Sequence, residues 1–145
     1  MKKAYKQSRS VWMDTVKTPP GQQPLAERIT ADVCVVGAGI AGMTTAYMLS
    51  RDGKSVVVLD DGPIGGGMTQ RTTAHLVTAL DDRYFELERL HGEDGARLAA
   101  ESHAAAINAI EAIVAQEKIR CEFERLDGYL FVPPRESKKV LDDEL

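Results

Sequence analysis

Six consecutive residues, Gly37-Ala38-Gly39-Ile40-Ala41-Gly42, have the G-x-G-x-x-G spacing that can grip a diphosphate. Gly37 permits a tight turn from one element into the next. Gly39 has no Cβ, so a pyrophosphate can approach the backbone. Gly42, with Ala46 one turn further on, lets a helix lie close to the strands beside it. The helix N-terminus then presents N–H groups without intrahelical partners, and its dipole favours an anion. The hexad alone is a weak signal, because glycine-rich matches arise by chance. Asp60 strengthens it. It stands 18 residues after Gly42, near the spacing of about 20 at which an acid reaches an adenosine ribose. A carboxylate there repels a 2′-phosphate and so disfavours NADP. Its neighbour Asp61 reads chiefly as a solvated turn acid before Gly62-Pro63, with a weaker claim to the ribose.

A second glycine-rich stretch, Gly65-Gly-Gly67-Met-Thr69-Gln-Arg71-Thr72-Thr73-Ala-His75, discriminates further. A plain NAD-binding unit has no need of such a loop directly after its second strand. A larger dinucleotide does, since its second half runs along the sheet edge and must be held. The amides around Gly67 and the hydroxyls of Thr69, Thr72 and Thr73 suit pyrophosphate and ribityl oxygens. Arg71 suits a charge-assisted bond to phosphate, or cover for the edge of a flavin. The competing reading is an ordinary surface loop. His75 reads more readily as a structural donor than as an acid–base catalyst. His91 and His103 lie in helical patterns with charged neighbours, and Glu86, Glu88 and Arg89 form a charged face that reads as solvated. No residue is assigned a catalytic role. Neither Cys34 nor Cys121 has another Cys or a His within three residues, so no metal site or disulfide framework is expected. Both cysteines read as small buried hydrophobes.

The elements that must position these residues are legible around them. Asp32-Val-Cys-Val-Val36 is a β-branched run that suits a strand buried on both faces. A helix is predicted over 40–51, ended by Asp52-Gly53 with the glycine as a left-handed cap. Ser55-Val-Val-Val-Leu59 is a second strand, stopped by Asp60-Asp61-Gly-Pro63. Strand, helix and strand in about 30 residues make a βαβ unit with a right-handed crossover. The stretch 65–80 reads as a loop leading into a short helix. A helix follows over 82–90, with Gly92 as a break, and then a long helix over 94–118 with Ala106, Ile110, Ile113 and Val114 on one face. Cys121-Glu-Phe-Glu-Arg-Leu126 and Tyr129-Leu-Phe-Val132 flank Asp127-Gly128, a hairpin signal ended by Pro133-Pro134. Another helix pattern runs over 137–145 and stops without a cap. Residues 1–30 read as an irregular lead-in, with Thr18-Pro-Pro-Gly-Gln-Gln-Pro24 extended or turn-like and Trp12 packed on the domain surface. Residues 31–145 form the nucleotide-binding domain.

Composition sets the outer bounds. The 145 residues are 43% hydrophobic and 28% charged, a normal globular mix for one domain. Eighteen Lys and Arg against 22 Asp and Glu leave a net charge of −4, which disfavours a nucleic-acid partner. The longest mostly apolar stretch, 31–43, holds three glycines and is far below the roughly 20 residues that cross a bilayer. The basic first ten residues lead into no apolar h-region, so the cytoplasm is the default compartment.

The run Thr30-Ala-Asp-Val-Cys-Val-Val-Gly-Ala-Gly-Ile-Ala-Gly-Met-Thr-Thr-Ala46, then Val58-Leu-Asp60, then Gly65-Gly-Gly-Met-Thr-Gln-Arg-Thr-Thr-Ala-His75, resembles the N-terminus of FAD-dependent oxidoreductases of the D-amino-acid oxidase/glycine oxidase family. The likeness is greatest to the branch with a C-terminal Rieske iron–sulfur domain, which Ser10-Val-Trp12 and Gly128-Tyr-Leu130 also fit. The resemblance covers nearly the whole chain, and its Thr-Thr-Ala-His loop is the more specific part. It implies an α/β fold: a Rossmann-like FAD/NAD(P)-binding βαβ unit with a parallel sheet, joined here by a long helix and a β-hairpin. It implies FAD as cofactor, held by Gly37, Gly39, Gly42, Asp60 and the loop from Gly67 to Thr73. It implies hydride transfer to flavin from a carbon beside an amine or hydroxyl of a small-molecule substrate. Family members are several hundred residues long, and the Cys-x-His and Cys-x-x-His pairs of a Rieske centre are absent from these 145 residues. The chain is therefore expected to be an incomplete, truncated domain that turns nothing over by itself. Two other readings stay open: an NAD-dependent dehydrogenase module, and a non-catalytic dinucleotide-binding remnant.

Overall fold

The computed structural model describes residues 8–16, 23–135 and 137–144. Two compact units divide the chain, Met1–Ala74 and His75–Leu145. Of the proline-rich stretch predicted to be extended or turn-like, residues 18–22 lie outside the described residues.

In the first unit, helix α1 (Val11–Thr15) is followed by strand β1 (Val33–Val36), helix α2 (Ile40–Arg51), strand β2 (Val56–Leu59) and one turn of 3-10 helix, Thr69–Arg71. The strands pair in parallel, with Val33 opposite Val56 and Val36 opposite Leu59. This is the βαβ unit expected from two β-branched runs separated by a helical pattern. The entry to the ladder is locked by Asp32, whose Oδ2 accepts from the Ser55 N–H at 2.8 Å and from the Ser55 hydroxyl at 2.7 Å. α2 ends as its Asp-Gly pair dictates. Gly53 has φ +79 and donates to the Ser50 carbonyl, while Lys54 donates to the Leu49 carbonyl. Those two bonds are the Schellman closure that only a left-handed residue permits without strain.

The first correction concerns the strands' burial. β1 alternates between half-buried and exposed positions, and Val36 is 84% exposed. α2 covers one face of the two-stranded sheet, and among the described residues of this unit no second layer covers the other. Cys34 points to that open face and is exposed, and Cys121 is exposed as well, so neither is the buried hydrophobe expected. A second difference is α1, an ordered helix inside the segment read as irregular; the Ser10 hydroxyl caps it by accepting from the Met13 N–H.

In the second unit, helix α3 (Tyr84–Gln116) carries the predicted break at Gly92, which has φ 76 and ψ 167, a region essentially restricted to glycine. Helix α4 (Lys139–Glu144) packs on α3, and the Glu144 carboxylate accepts from the first N–H groups of α3, at 2.8 Å from Tyr84 N. The apolar face of α3 differs by one position from the reading. Ile110, Ile113 and Val114 are half-buried, but Ala106 is exposed and Ile107 takes its place.

The hairpin is the larger correction, since residues 121–132 contain no strand. A two-residue Asp-Gly hairpin turn needs positive φ at both central residues, and Gly128 is not among the positive-φ glycines. Glu122, at φ 53, interrupts the first run instead. Arg125 ties this run to α3, donating to Glu111 Oε2 and Asn108 Oδ1 at 2.7 Å each. Two short strands alone are marginal in water, and here a side-chain clamp to the helix replaces the ladder. Among the described residues no helix is long and apolar enough to cross a membrane.

Candidate functional site

The site forms where both parallel strands end. Directly after β1, Gly37 takes φ +104, a conformation L side chains rarely adopt, and its N–H donates to the Leu59 carbonyl at 2.7 Å. Ala38 follows, 2% exposed. Gly39 is the N-cap of α2 in ordinary extended conformation, with Ile40, Ala41 and Gly42 in the first turn. A Cβ on Gly42 would stand 1.9 Å from the Gly37 carbonyl oxygen. That distance is the physical content of the third glycine, whose missing side chain sets how closely α2 approaches the turn.

Asp60, just past the end of β2, reaches back to this turn. Its Oδ2 accepts from the Ala38 N–H at 2.5 Å and its Oδ1 from the Gly62 N–H at 2.7 Å. These two backbone donors, Ala38 first, hold the carboxyl below its ordinary value of 3.8. Asp32 is lowered too, by its bonds from the Ser55 hydroxyl and N–H. Because the folded state favours both carboxylates, their contribution to stability is in place above pH 3.8 and is lost as pH falls below it. Acid titration of the protein, followed by circular dichroism, should therefore show stability falling in that range, and Asp60→Asn should flatten part of the fall. Asp61 is exposed.

The second glycine loop closes over the first. The Gly65 N–H donates to the Ala38 carbonyl at 2.8 Å. After Gly67 at φ +63, the Thr69 hydroxyl accepts from the Ile40 N–H at 3.1 Å and so caps α2, a task its N-cap glycine cannot perform. A Cβ on Gly39 would come within 3.3 Å of the same Thr69 oxygen. Gly39, Ile40, Thr69, Ala38 and Asp60 are thus brought together by hydrogen bonds spanning 22 to 29 positions. The Thr72 hydroxyl bonds within its own turn, to the Thr69 carbonyl, and Thr73 is exposed. The Arg71 guanidinium donates to the Ser8 carbonyl at 3.1 Å rather than lying over the α2 N-terminus.

Sequence reasoning missed the N-terminal partners of this loop. The Trp12 Nε1–H donates to the Thr72 carbonyl at 2.8 Å, and the Ser10 hydroxyl donates to the Gln70 carbonyl. The available signal was a capping serine two residues before the chain's one tryptophan. Among the described residues no cluster of three or more His, Cys, Asp or Glu comes together.

The donor set fits a dinucleotide. With the Ile40 N–H held by Thr69, the N–H groups of Ala41 and Gly42 in the first turn of α2 suit a diphosphate, a carboxylate at the end of the neighbouring strand suits a ribose diol, and the bare Gly39 leaves the backbone open to approach.

Comparisons with known proteins identify the family. The family model for FAD-dependent oxidoreductases, DAO, matches residues 32–145. YhfW of Bacillus subtilis, whose name describes a Rieske 2Fe-2S iron–sulfur protein, is 35% identical over 126 residues, 87% of this chain and 25% of its own length. Gamma-glutamylputrescine oxidoreductase of Escherichia coli is 34% identical over 108 residues, 74% of this chain and 25% of its own length. OrdL of Haemophilus influenzae, named as an oxidoreductase, is 29% identical over 121 residues, 83% of this chain and 28% of its own length. The chain spans about a quarter of the length of these curated relatives. No solved structure matches it. With a strand–turn–helix corner, an acid at the next strand end and a second glycine loop closing on both, the chain belongs to the DAO family of FAD-dependent oxidoreductases.

Proposed function

We propose that this chain is the FAD-binding N-terminal portion of a flavoenzyme that oxidises an amine or amino-acid-like substrate. The observation that carries the reading is the joining of Asp60 to Ala38 and of Thr69 to Ile40 at the ends of two parallel strands. The likeness to gamma-glutamylputrescine oxidoreductase and OrdL supports the amine and oxidoreductase parts. Gly39, Ala41 and Gly42 hold the diphosphate through backbone N–H groups at the α2 N-terminus, joined by Ile40 when the Thr69 hydroxyl that accepts from its N–H turns to the ligand. Asp60 keeps lone pairs free for ribose hydroxyls while its backbone bonds fix its orientation, and Asp61 is the secondary candidate for that contact. Gly67, Thr69, Thr72 and Thr73 hold the rest of the cofactor, and Arg71 contributes through its backbone, its guanidinium being engaged with the Ser8 carbonyl. Bound flavin supplies a hydride acceptor for a carbon–hydrogen bond beside the amine. The full-length protein is proposed to carry an iron–sulfur domain, on its likeness to YhfW. Exposed, unpaired Cys34 and Cys121 suit a reducing compartment such as the cytoplasm.

The full-length protein is expected to purify yellow and to release flavin on denaturation. A colourless protein that binds NAD would overturn the reading.

A further inference from the structure

Helix α1 is ordered without a core of its own. None of its residues is buried, yet the segment that begins it makes three hydrogen bonds to three successive loop residues. The Ser10 hydroxyl donates to the Gln70 carbonyl, the Arg71 Nη1 donates to the Ser8 carbonyl at 3.1 Å, and the Trp12 Nε1 donates to the Thr72 carbonyl at 2.8 Å. Ser10 serves twice, because its hydroxyl also accepts from the Met13 N–H as the α1 cap. An ion pair between Arg9 and Asp14 braces the helix. The clamped residues directly follow Thr69, whose hydroxyl caps α2 beside Gly39. All of these contacts lie within the first unit.

From this we infer that α1 is a strap that pre-orders the second glycine loop, with Trp12 and Ser10 as positioning residues for flavin binding. The inference rests on the proposed function only for the identity of the ligand. A loop that must be ordered when ligand binds loses affinity by the fraction of time it spends in the wrong conformation. Fastening three consecutive residues from outside raises the competent fraction before any ligand arrives. Gln70 and Thr72 are held through their carbonyls, so the strap fixes the loop backbone and with it the position of the Thr69 hydroxyl that caps α2.

The test uses the full-length protein with Trp12→Phe, which keeps the ring and removes the donor, and with Ser10→Ala and Ser10→Thr. Two readouts are taken: the flavin dissociation constant of the apoprotein by FAD titration, and trypsin cleavage after Arg71 without flavin. Trp12→Phe and Ser10→Ala are each expected to weaken FAD binding about three- to tenfold, the range for one lost hydrogen bond. Cleavage after Arg71 is expected to speed up in both, with the apoprotein melting temperature unchanged. Ser10→Thr, which retains the hydroxyl, should restore both readouts. FAD affinity within about twofold of the parent in both variants, or unchanged cleavage after Arg71, would overturn the strap. If the parent protein binds no FAD, the proposed function fails, and the flavin-free cleavage still decides whether α1 orders the loop.

Discussion

Gly42→Ala is expected to abolish FAD binding and to destabilise the first unit by about 3 kcal/mol, the upper part of the usual overpacking range. The added Cβ would lie 1.9 Å from the Gly37 carbonyl oxygen, 3.0 Å from the Gly37 carbonyl carbon and 3.3 Å from Val35 Cγ1. No flexible side chain can yield to relieve the first contact, because the obstruction is backbone. Gly37 is also poorly placed to move. Its N–H is bonded to the Leu59 carbonyl, and its φ of +104 leaves few alternatives. Relief has to come from α2 backing away from the strand–turn corner. That would expose Ala46, which is among the few buried side chains, and would carry the α2 N-terminus away from Asp60 and Thr69. Chemical denaturation reads the stability loss, and FAD titration reads the binding loss. A variant as stable as the parent would show that α2 does not pack as described.

Gly39→Val is expected to lower FAD affinity at least about a hundredfold while leaving the fold nearly intact, an effect comparable to losing several hydrogen bonds. The two substitutions separate because the two glycines answer different needs. Gly39 has φ −79 and ψ −173, extended backbone open to any residue, so no conformational rule demands glycine there. Among the described residues, a Cβ there would meet just the Thr69 hydroxyl, at 3.3 Å, the far end of a small side chain that can turn aside. A valine would be tolerated by the chain and would fill the space through which a diphosphate approaches the α2 N–H groups. FAD titration beside a melting curve distinguishes the cases. Unchanged affinity would remove the diphosphate from this corner, whereas collapse of the fold would show that the Gly39 environment is tighter than its contacts indicate.

Much of this site was legible in the residue order. The strand, the hexad, the helix over 40–51 with its Asp-Gly stop, and the second strand all stand where periodicity and cap chemistry put them. The break at Gly92 was legible for the same reason. The misreadings share a different cause. The Asp127-Gly128 pair makes no turn, since Gly128 is not among the positive-φ glycines; strand pairing needs a partner face, and the bonds from Arg125 to α3 prevailed. The double-sided burial predicted for Asp32-Val-Cys-Val-Val36 assumed a layer on each side of the sheet. A run of valines specifies a preference for burial, and only neighbouring elements can satisfy it.

The order of residues by itself determined the local grammar of this protein: where strands give way to helix, that Gly53 ends α2 in a left-handed cap, and that an acid follows at the ribose spacing. Those features follow from steric limits and hydrogen-bond patterns acting over a few neighbouring residues. The tertiary structure alone decided that the Asp60 carboxyl closes on Ala38, that Thr69 caps Ile40, and that Ser10 and Trp12 fasten the loop from 60 positions away. Hydrogen bonds of that range depend on where packing delivers each backbone group, and no local pattern encodes that position.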